Sequence, residues 1–359
     1  MAQTSSNIKI RPVLLLGFGG VGRALIHQIL AARTLHKQRN ALKLEIIGLS
    51  DSAGVYYDGS GISDGLLTGL LTSKAATGRM GVSQTQLAEV LRDLPAGTII
   101  VDTSATADTV PFMQAAVRKG CGVVLANKLP LAGDLAWFDE LTSAPSRWET
   151  TVGAALPVIS TLRTILDSGD EVQRIEGSLS GTLGYIASEL EAGAPFGATV
   201  REAKKRGYTE PDPRQDLGGL DAARKALILG RMLGYRLEMA DVQVEPLYPA
   251  AMNRLSVDEF LQQADELNAA MTLRASNLTA GGRKLRYAAV VANGRCSVGF
   301  VGADPTTKLG SIRTTDSIVV FTTRCYSDNP LAVSGRGAGQ EVTANGVLGD
   351  IVSLSREMA

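Results

Sequence analysis

The segment that most constrains the fold is Gly17-Phe18-Gly19-Gly20-Val21-Gly22, a G-x-G-x-x-G run. It stands directly after the apolar stretch Pro12 to Leu16 and directly before a helical pattern beginning near Val21. In a strand-turn-helix context the first glycine allows the tight turn, the second lets backbone approach a pyrophosphate, and the third lets helix pack on strand. The helix N-terminus adds unpaired N–H groups and a positive dipole end. The run therefore predicts a dinucleotide site on a parallel α/β sheet, built around Gly17, Phe18, Gly19, Gly20, Val21 and Gly22.

The first third of the chain repeats that alternation. Residues 44–49, 98–102 and 122–126 are apolar runs of strand length, separated by amphipathic stretches such as 22–35 and 110–119. This order reads as βαβ units, hence a parallel sheet with helices on both faces. Ligands bind such sheets beyond the strand C-terminal ends. That topology nominates Asp51 for a ribose hydroxyl, Thr103 and Ser104 after the third parallel strand, and Asn127 and Lys128 after the fourth. A carboxylate at Asp51, with no arginine directly after it, favours an unphosphorylated ribose.

From Glu176 onward the helical patterns lengthen, as in 221–233, and residues 284–300 and 312–321 alternate apolar and polar side chains as antiparallel strands do. The predicted fold class is α/β: a Rossmann-type parallel-sheet domain plus an α+β substrate domain. The expected division is 1–155 completed by a C-terminal helical segment 335–359, and 156–334. Lys plus Arg and Asp plus Glu each number 36, so nothing suggests a nucleic-acid partner. No apolar run is long enough to cross a bilayer, and the polar N-terminus lacks a secretory pattern, which predicts a cytoplasmic protein. Three well-separated cysteines fit a reducing compartment and neither a disulfide framework nor a zinc cluster.

The chemistry is read from residues 177–231. Thr209-Glu210-Pro211-Asp212-Pro213-Arg214 contains two prolines, which exclude helix and hold its acids on a stiff loop. Asp221 and Lys225 stand four apart at the start of a helix and share one face. The only histidines, His27 and His36, fall on or just after the first helix, away from a hydride site. Lysine is then the available proton donor to a developing alkoxide, with Lys128 and Lys225 as contenders. Cys121 opens a buried strand and reads as core. Without a placed thiol, chemistry at the aldehyde–alcohol level is favoured over thioester oxidation.

Three stretches are similar to homoserine dehydrogenases: residues 180–186 (SGTLGYI), 207–217 (GYTEPDPRQDL) and 219–225 (GLDAARK). The resemblance runs from the glycine fingerprint through 126–131 (ANKLPL) to Gly337-Ala338-Gly339. It implies NAD- or NADP-dependent interconversion of L-aspartate 4-semialdehyde and L-homoserine, in the route to threonine, methionine and isoleucine. By motif, Lys225 matches the family's catalytic lysine, Asp221 and Glu210 its substrate-binding acids, and Lys128 a lysine between cofactor and substrate. Thr182 lies near the substrate, and Gly19, Val21, Thr103 and Gly339 match cofactor contacts. A monovalent cation, Na+ or K+, is implied on the backbone carbonyls of Glu149, Val152, Ala154 and Leu156. A homodimer formed through the late strands is also implied. The sequence continues only about twenty residues past Gly339, so a C-terminal regulatory ACT domain is not expected.

Two other readings stay open on the residues alone. Asn127-Lys128-x-Pro130 superficially looks like the lysine motif of sugar or polyol oxidoreductases. A nucleotide-sensing module without turnover is the other, against which the set Glu210, Asp221 and Lys225 argues.

Overall fold

In a computed structural model the described residues are 8–312 and 316–358. The chain divides into two compact units, one made of 1–155 with 339–359 and the other of 156–338. The return to the first unit thus comes at 339 and not at 335, because Leu331–Gly335 pairs as a strand of the second unit's sheet.

The first unit holds a six-stranded sheet of β1 (Lys9–Leu16), β2 (Leu42–Asp51), β3 (Gly54–Tyr57), β4 (Ile99–Asp102), β5 (Gly122–Leu125) and β6 (Ser146–Arg147). Their order is β3-β2-β1-β4-β5-β6. All neighbours pair in parallel except β3, which returns antiparallel on β2 at the edge. The central strands are apolar on both faces, as a sheet covered on both sides requires: Val13 to Leu16 and Ile99 to Val101 are fully buried. The helix Gln340–Glu357 completes this core through Ala344, Val347, Leu348 and Ile351. Its C-terminal carbonyls are met by the buried Arg11 guanidinium, which donates to Met358 at 3.0 Å and to Gly97 at 2.7 Å. A cation at that end complements the helix dipole.

The second unit holds β7 (Val172–Ser178), β8 (Gln243–Val244), β9 (Lys284–Ala292), β10 (Arg295–Ala303), β11 (Ser317–Thr323) and β12 (Leu331–Gly335), in the order β12-β11-β7-β9-β10-β8. Pairing is antiparallel except β8 on β10. The alternating segment 284–300 is a hairpin whose turn, Asn293-Gly294, has φ of 52° and 72°. Two positive-φ residues are what a two-residue turn needs to match strand twist. The expected strand 312–321 begins only at Ser317, and 313–315 lie outside the described residues. Helices Gly181–Glu191, Leu220–Met232 and Asn268–Thr279 pack against β9. Among the described residues no helix is long and apolar enough to cross a membrane.

Candidate active site

In the first unit the fingerprint sits in the turn between β1 and the helix Gly20–Asn40. Gly17 has φ of +94°, and a Cβ there would lie 2.5 Å from the Ser104 amide nitrogen. At Gly22 a Cβ would lie 2.2 Å from the Gly17 carbonyl oxygen, so only glycine lets the helix close on the turn. The Gly17 and Phe18 amides donate to the Ser50 carbonyl, at 3.0 and 2.8 Å. The amides of the helix's first turn, Gly20, Val21 and Gly22, have no intrahelical acceptor. That end has no side-chain cap at Gly19 and no acidic residue in its first turn, which suits a pyrophosphate. Thr103 donates from Oγ1 to the Gly17 carbonyl at 2.7 Å, tying β4's end to the turn. Gly339 caps the last helix with φ of +121°. The next side chain, Gln340, lies where a Cβ on Gly20 would be.

Of the expected set, Gly17, Phe18, Gly19, Asp51, Thr103 and Ser104 line a cleft of about 840 Å³, whereas Gly20, Val21, Gly22, Lys128 and Gly339 are not among its lining residues. That volume is in the range of cofactor sites. Asp51 ends β2 as expected, but its carboxylate is already engaged. It accepts from Lys74 Nζ at 2.7 Å, Gln84 Nε2 at 3.0 Å and the Ala53 amide at 2.9 Å. Burial works against the charged form, yet these bonds outweigh it and hold the Asp51 pKa below the ordinary carboxylate range. Lys74, from the helix Asp64–Thr77, also lines the cleft. No arginine directly follows Asp51 in the sequence; the cation beside it is Lys74, 23 residues on.

Asp102, at the end of β4, is fully buried and was not singled out by sequence. It accepts from the Ser104 amide at 2.9 Å, Thr109 Oγ1 at 2.9 Å and Asn127 Nδ2 at 3.1 Å. Burial pushes its pKa up, and these donors partly restore the charged form. Asn127 in turn accepts from the Leu129 amide at 3.0 Å, which fixes the turn that carries Lys128. Cys121 is buried core, and burial raises its thiol pKa.

In the second unit Lys225 is 7% exposed within Leu220–Met232, and its Nζ lies 2.7 Å from Asp221 Oδ2. The same Nζ donates to the Leu179 carbonyl at 2.6 Å, just before the helix Gly181–Glu191. Thr182, in that helix, donates to the Tyr208 carbonyl at 2.5 Å and lies 3.2 Å from Asp216 Oδ1. The Glu210 amide donates to Asp216 Oδ2 at 2.8 Å while its side chain stays exposed. Asp216 thus binds both Thr182 and the Glu210 loop. Its pKa is raised by burial and then by the neighbouring carboxylates of Glu210 and Asp221.

Asp212, the other acid of the stiff loop, is consumed by Arg214, which grips it at 2.8 Å and also donates to the Met252 and Leu255 carbonyls. Asp216 lay within the quoted motif, but no helical spacing links it to Asp221, because it belongs to the short helix Arg214–Leu217 and Asp221 to the next. Lys74 carried no signal, being 23 residues from Asp51 with no shared element.

Residues 17–153 match the family model for the homoserine dehydrogenase NAD-binding domain, and 157–352 match that for homoserine dehydrogenase. Homoserine dehydrogenase of Saccharomyces cerevisiae is 33% identical, over 98% of this chain and 99% of that protein. A bifunctional aspartokinase/homoserine dehydrogenase of Zea mays is 35% identical over 95% of this chain, which spans 38% of that relative's length. Among solved structures, a Candida auris protein of unknown function has a TM-score of 0.85 at 29% identity, covering 98% of this chain and 99% of that one. An archaeal homoserine dehydrogenase solved with NADPH shares the fold, with a TM-score of 0.76 at 23% identity, over 98% of this chain and 99% of that one. The chain belongs to the homoserine dehydrogenase family.

Proposed function

We propose that this chain catalyses the NAD(P)-dependent interconversion of L-aspartate 4-semialdehyde and L-homoserine, in the biosynthesis of threonine, methionine and isoleucine. The observation that carries the reading is the buried Lys225 ammonium held 2.7 Å from Asp221, in the unit that bears Glu210 and Asp216. An ammonium has three N–H donors. Two of them go to Asp221 and the Leu179 carbonyl. The third donor serves the substrate oxygen, which gains negative charge as the aldehyde is reduced. Glu210 and Asp221 hold the substrate's α-ammonium, and Thr182 keeps Asp216 in place behind them. The nicotinamide, when bound, supplies or accepts the hydride. In the first unit Gly19 to Gly22 hold its pyrophosphate, with Thr103, Ser104 and Gly339 about the turn, and Lys128 serves between cofactor and substrate.

Both cofactors are accepted in this reading: Asp51 suits a ribose hydroxyl, and Lys74 beside it suits a 2′-phosphate. A monovalent cation, Na+ or K+, is proposed on the carbonyls of Glu149, Val152, Ala154 and Leu156. Supporting it, Ala154 holds φ of 53° and ψ of −120°, a conformation that costs a residue with a Cβ about 1–3 kcal/mol and marks functional loops. The Leu156 carbonyl already accepts from the Val158 amide at 2.7 Å, with its second lone pair left over. A homodimer in the cytoplasm completes the proposal. In the second sheet Val290, Ala292, Ser297 and Val301 share one half-buried face, which suits a second copy.

The test is the change in reduced-nicotinamide absorbance with L-homoserine and each cofactor in turn. Turnover by the wild-type chain is expected, and inert L-homoserine with both cofactors overturns the assignment.

A further inference from the structure

The G-x-G-x-x-G pattern asks for glycine at three positions, and this chain has a fourth, Gly20, on one of the open ones. Gly20 is the first residue of the helix Gly20–Asn40 and has no positive φ. Its backbone therefore does not require glycine, and alanine is the better helix former. The three nearest atoms that a Cβ on Gly20 would meet all belong to one side chain from the other end of the sequence: Gln340 Cδ and Nε2 at 2.4 Å and Oε1 at 2.5 Å. The missing side chain makes room for the Gln340 carboxamide on the first turn of this helix.

Gln340 opens the helix Gln340–Glu357, which lies beside Gly20–Asn40 and runs in the same direction. Near one end Gln28 donates to the Glu341 carbonyl at 3.0 Å, and at the other Arg356 donates to Asn40 Oδ1. Parallel helices bring two positive dipole ends and two sets of unpaired first-turn amides to one place. Neither start has a side-chain cap, at Gly19 or at Gly339. Arg23 adds a full positive charge there, its Nε donating to the Gly19 carbonyl at 3.3 Å.

The one acid in either first turn is Glu341, and its carboxylate turns elsewhere. Its Oε2 accepts from Gln28 Nε2 at 3.1 Å, about two helical turns past Gly20. The balance at the two helix starts is therefore positive. Gly19, which lines the dinucleotide cleft, has nothing within 4 Å of where its Cβ would be, so open space adjoins the turn on that side. Gln340 is exposed next to it.

We propose that Gln340 is a further dinucleotide-binding residue, its carboxamide N–H donating to a pyrophosphate oxygen on the first turn of the helix Gly20–Asn40. The inference rests on the dinucleotide reading of the glycine turn. A carboxamide offers two N–H donors and no charge. It can therefore bond and orient the anion while the two helix ends and Arg23 balance its charge. Gly20 is matched to Gln340 in this arrangement, which accounts for a glycine that the fingerprint itself does not demand.

The probes are NADPH and ADP-ribose, which keeps the pyrophosphate without the nicotinamide, each titrated into the full chain by calorimetry. Gln340→Ala removes the donor, and Gln340→Glu replaces it with a carboxylate of the same shape. Gln340→Ala is expected to weaken both probes about tenfold, the scale of a hydrogen bond to a charged group. Gln340→Glu is expected to weaken them about tenfold further at low salt, with that extra loss shrinking as salt screens the repulsion. Gly20→Ala tests the pairing, because its Cβ displaces the carboxamide: about a tenfold loss is expected in the wild-type chain and none beyond it in the Gln340→Ala background. Undiminished affinity in both Gln340 variants overturns the inference, as does a change confined to the melting temperature, which is how packing alone would act. A Gly20→Ala loss that persists in full beside Gln340→Ala also overturns it, since the new Cβ would then be striking the pyrophosphate itself. If the wild-type chain binds neither probe, the dinucleotide reading falls with it.

Discussion

The Lys74 ammonium stands 2.7 Å from an Asp51 carboxylate oxygen at the rim of the dinucleotide cleft, with the two side chains only 15% and 8% exposed. An acid that would repel a 2′-phosphate is thereby coupled to a cation that would attract one. Lys74→Met is expected to weaken NADPH about tenfold, roughly 1.4 kcal/mol, with a smaller effect on NADH. Asp51→Asn is expected to act in the opposite sense, weakening NADH and leaving NADPH equal or tighter. Fluorescence titration of both variants with both cofactors checks this, and equal losses for the two cofactors would show the pair to be structural.

Lys225 has Asp221 and the Leu179 carbonyl as fixed partners, so its loss removes a placed donor while the fold of the cofactor unit is untouched. Lys225→Ala should lower kcat with L-homoserine by about 10²–10⁴, the usual worth of a general acid–base, and leave dinucleotide affinity unchanged. Full activity in this variant would sink the assignment. If Lys128→Ala alone is fatal and L-homoserine is inert, the sugar or polyol reading takes its place.

Asp102 joins the ends of β4 and β5 through Ser104, Thr109 and Asn127. Asp102→Asn puts an NH2 group against donors on at least one side. The expected result is a KM for the dinucleotide raised about tenfold with kcat little altered, because the loops that border the cleft shift while Lys225 does not. Steady-state kinetics at varied cofactor reads the split; a fall in kcat with KM unchanged would contradict it.

Asp216 is held above its ordinary pKa by burial and then by Glu210 and Asp221. A carboxyl whose folded pKa exceeds its unfolded value binds its proton more tightly when folded. Its cost to stability is absent below the unfolded pKa, about 3.9, and complete once pH passes the folded pKa. Asp216→Asn has no proton to lose. The Tm difference, variant minus wild type, is therefore expected to move in the variant's favour as pH rises from about 4 to 7. Thermal melts across that range test it, and a flat or reversed trend would show that the three acids are not coupled.

A homodimer predicts a solution mass of twice 37.7 kDa. Light scattering on the purified chain measures it directly. Replacing Val290 and Val301 by Glu on the shared sheet face should shift the mass to that of one chain.

Much of the cofactor unit was legible in the sequence because its signals are local. A glycine turn between an apolar strand and a helix is complete within about ten residues, and β1, the turn and the helix after Gly19 fall where that pattern puts them. Asp221 and Lys225 were legible for the same reason, since helical spacing alone puts them on one face. The edge strand β3 and the late start of β11 were not, because short strands are specified by their partners more than by their own residues.

What the sequence by itself determined is the set of backbone geometries that admit only certain residues: glycine at Gly17 and Gly22, prolines flanking Asp212, a lysine one helical turn after Asp221. Tertiary structure alone decided how charges far apart in the chain are matched. It set Lys74 against Asp51, Thr182 against Asp216 and Asn127 against Asp102. Burial makes each of those carboxylates depend on partners, and partners 23 residues away or more have no spacing rule to announce them.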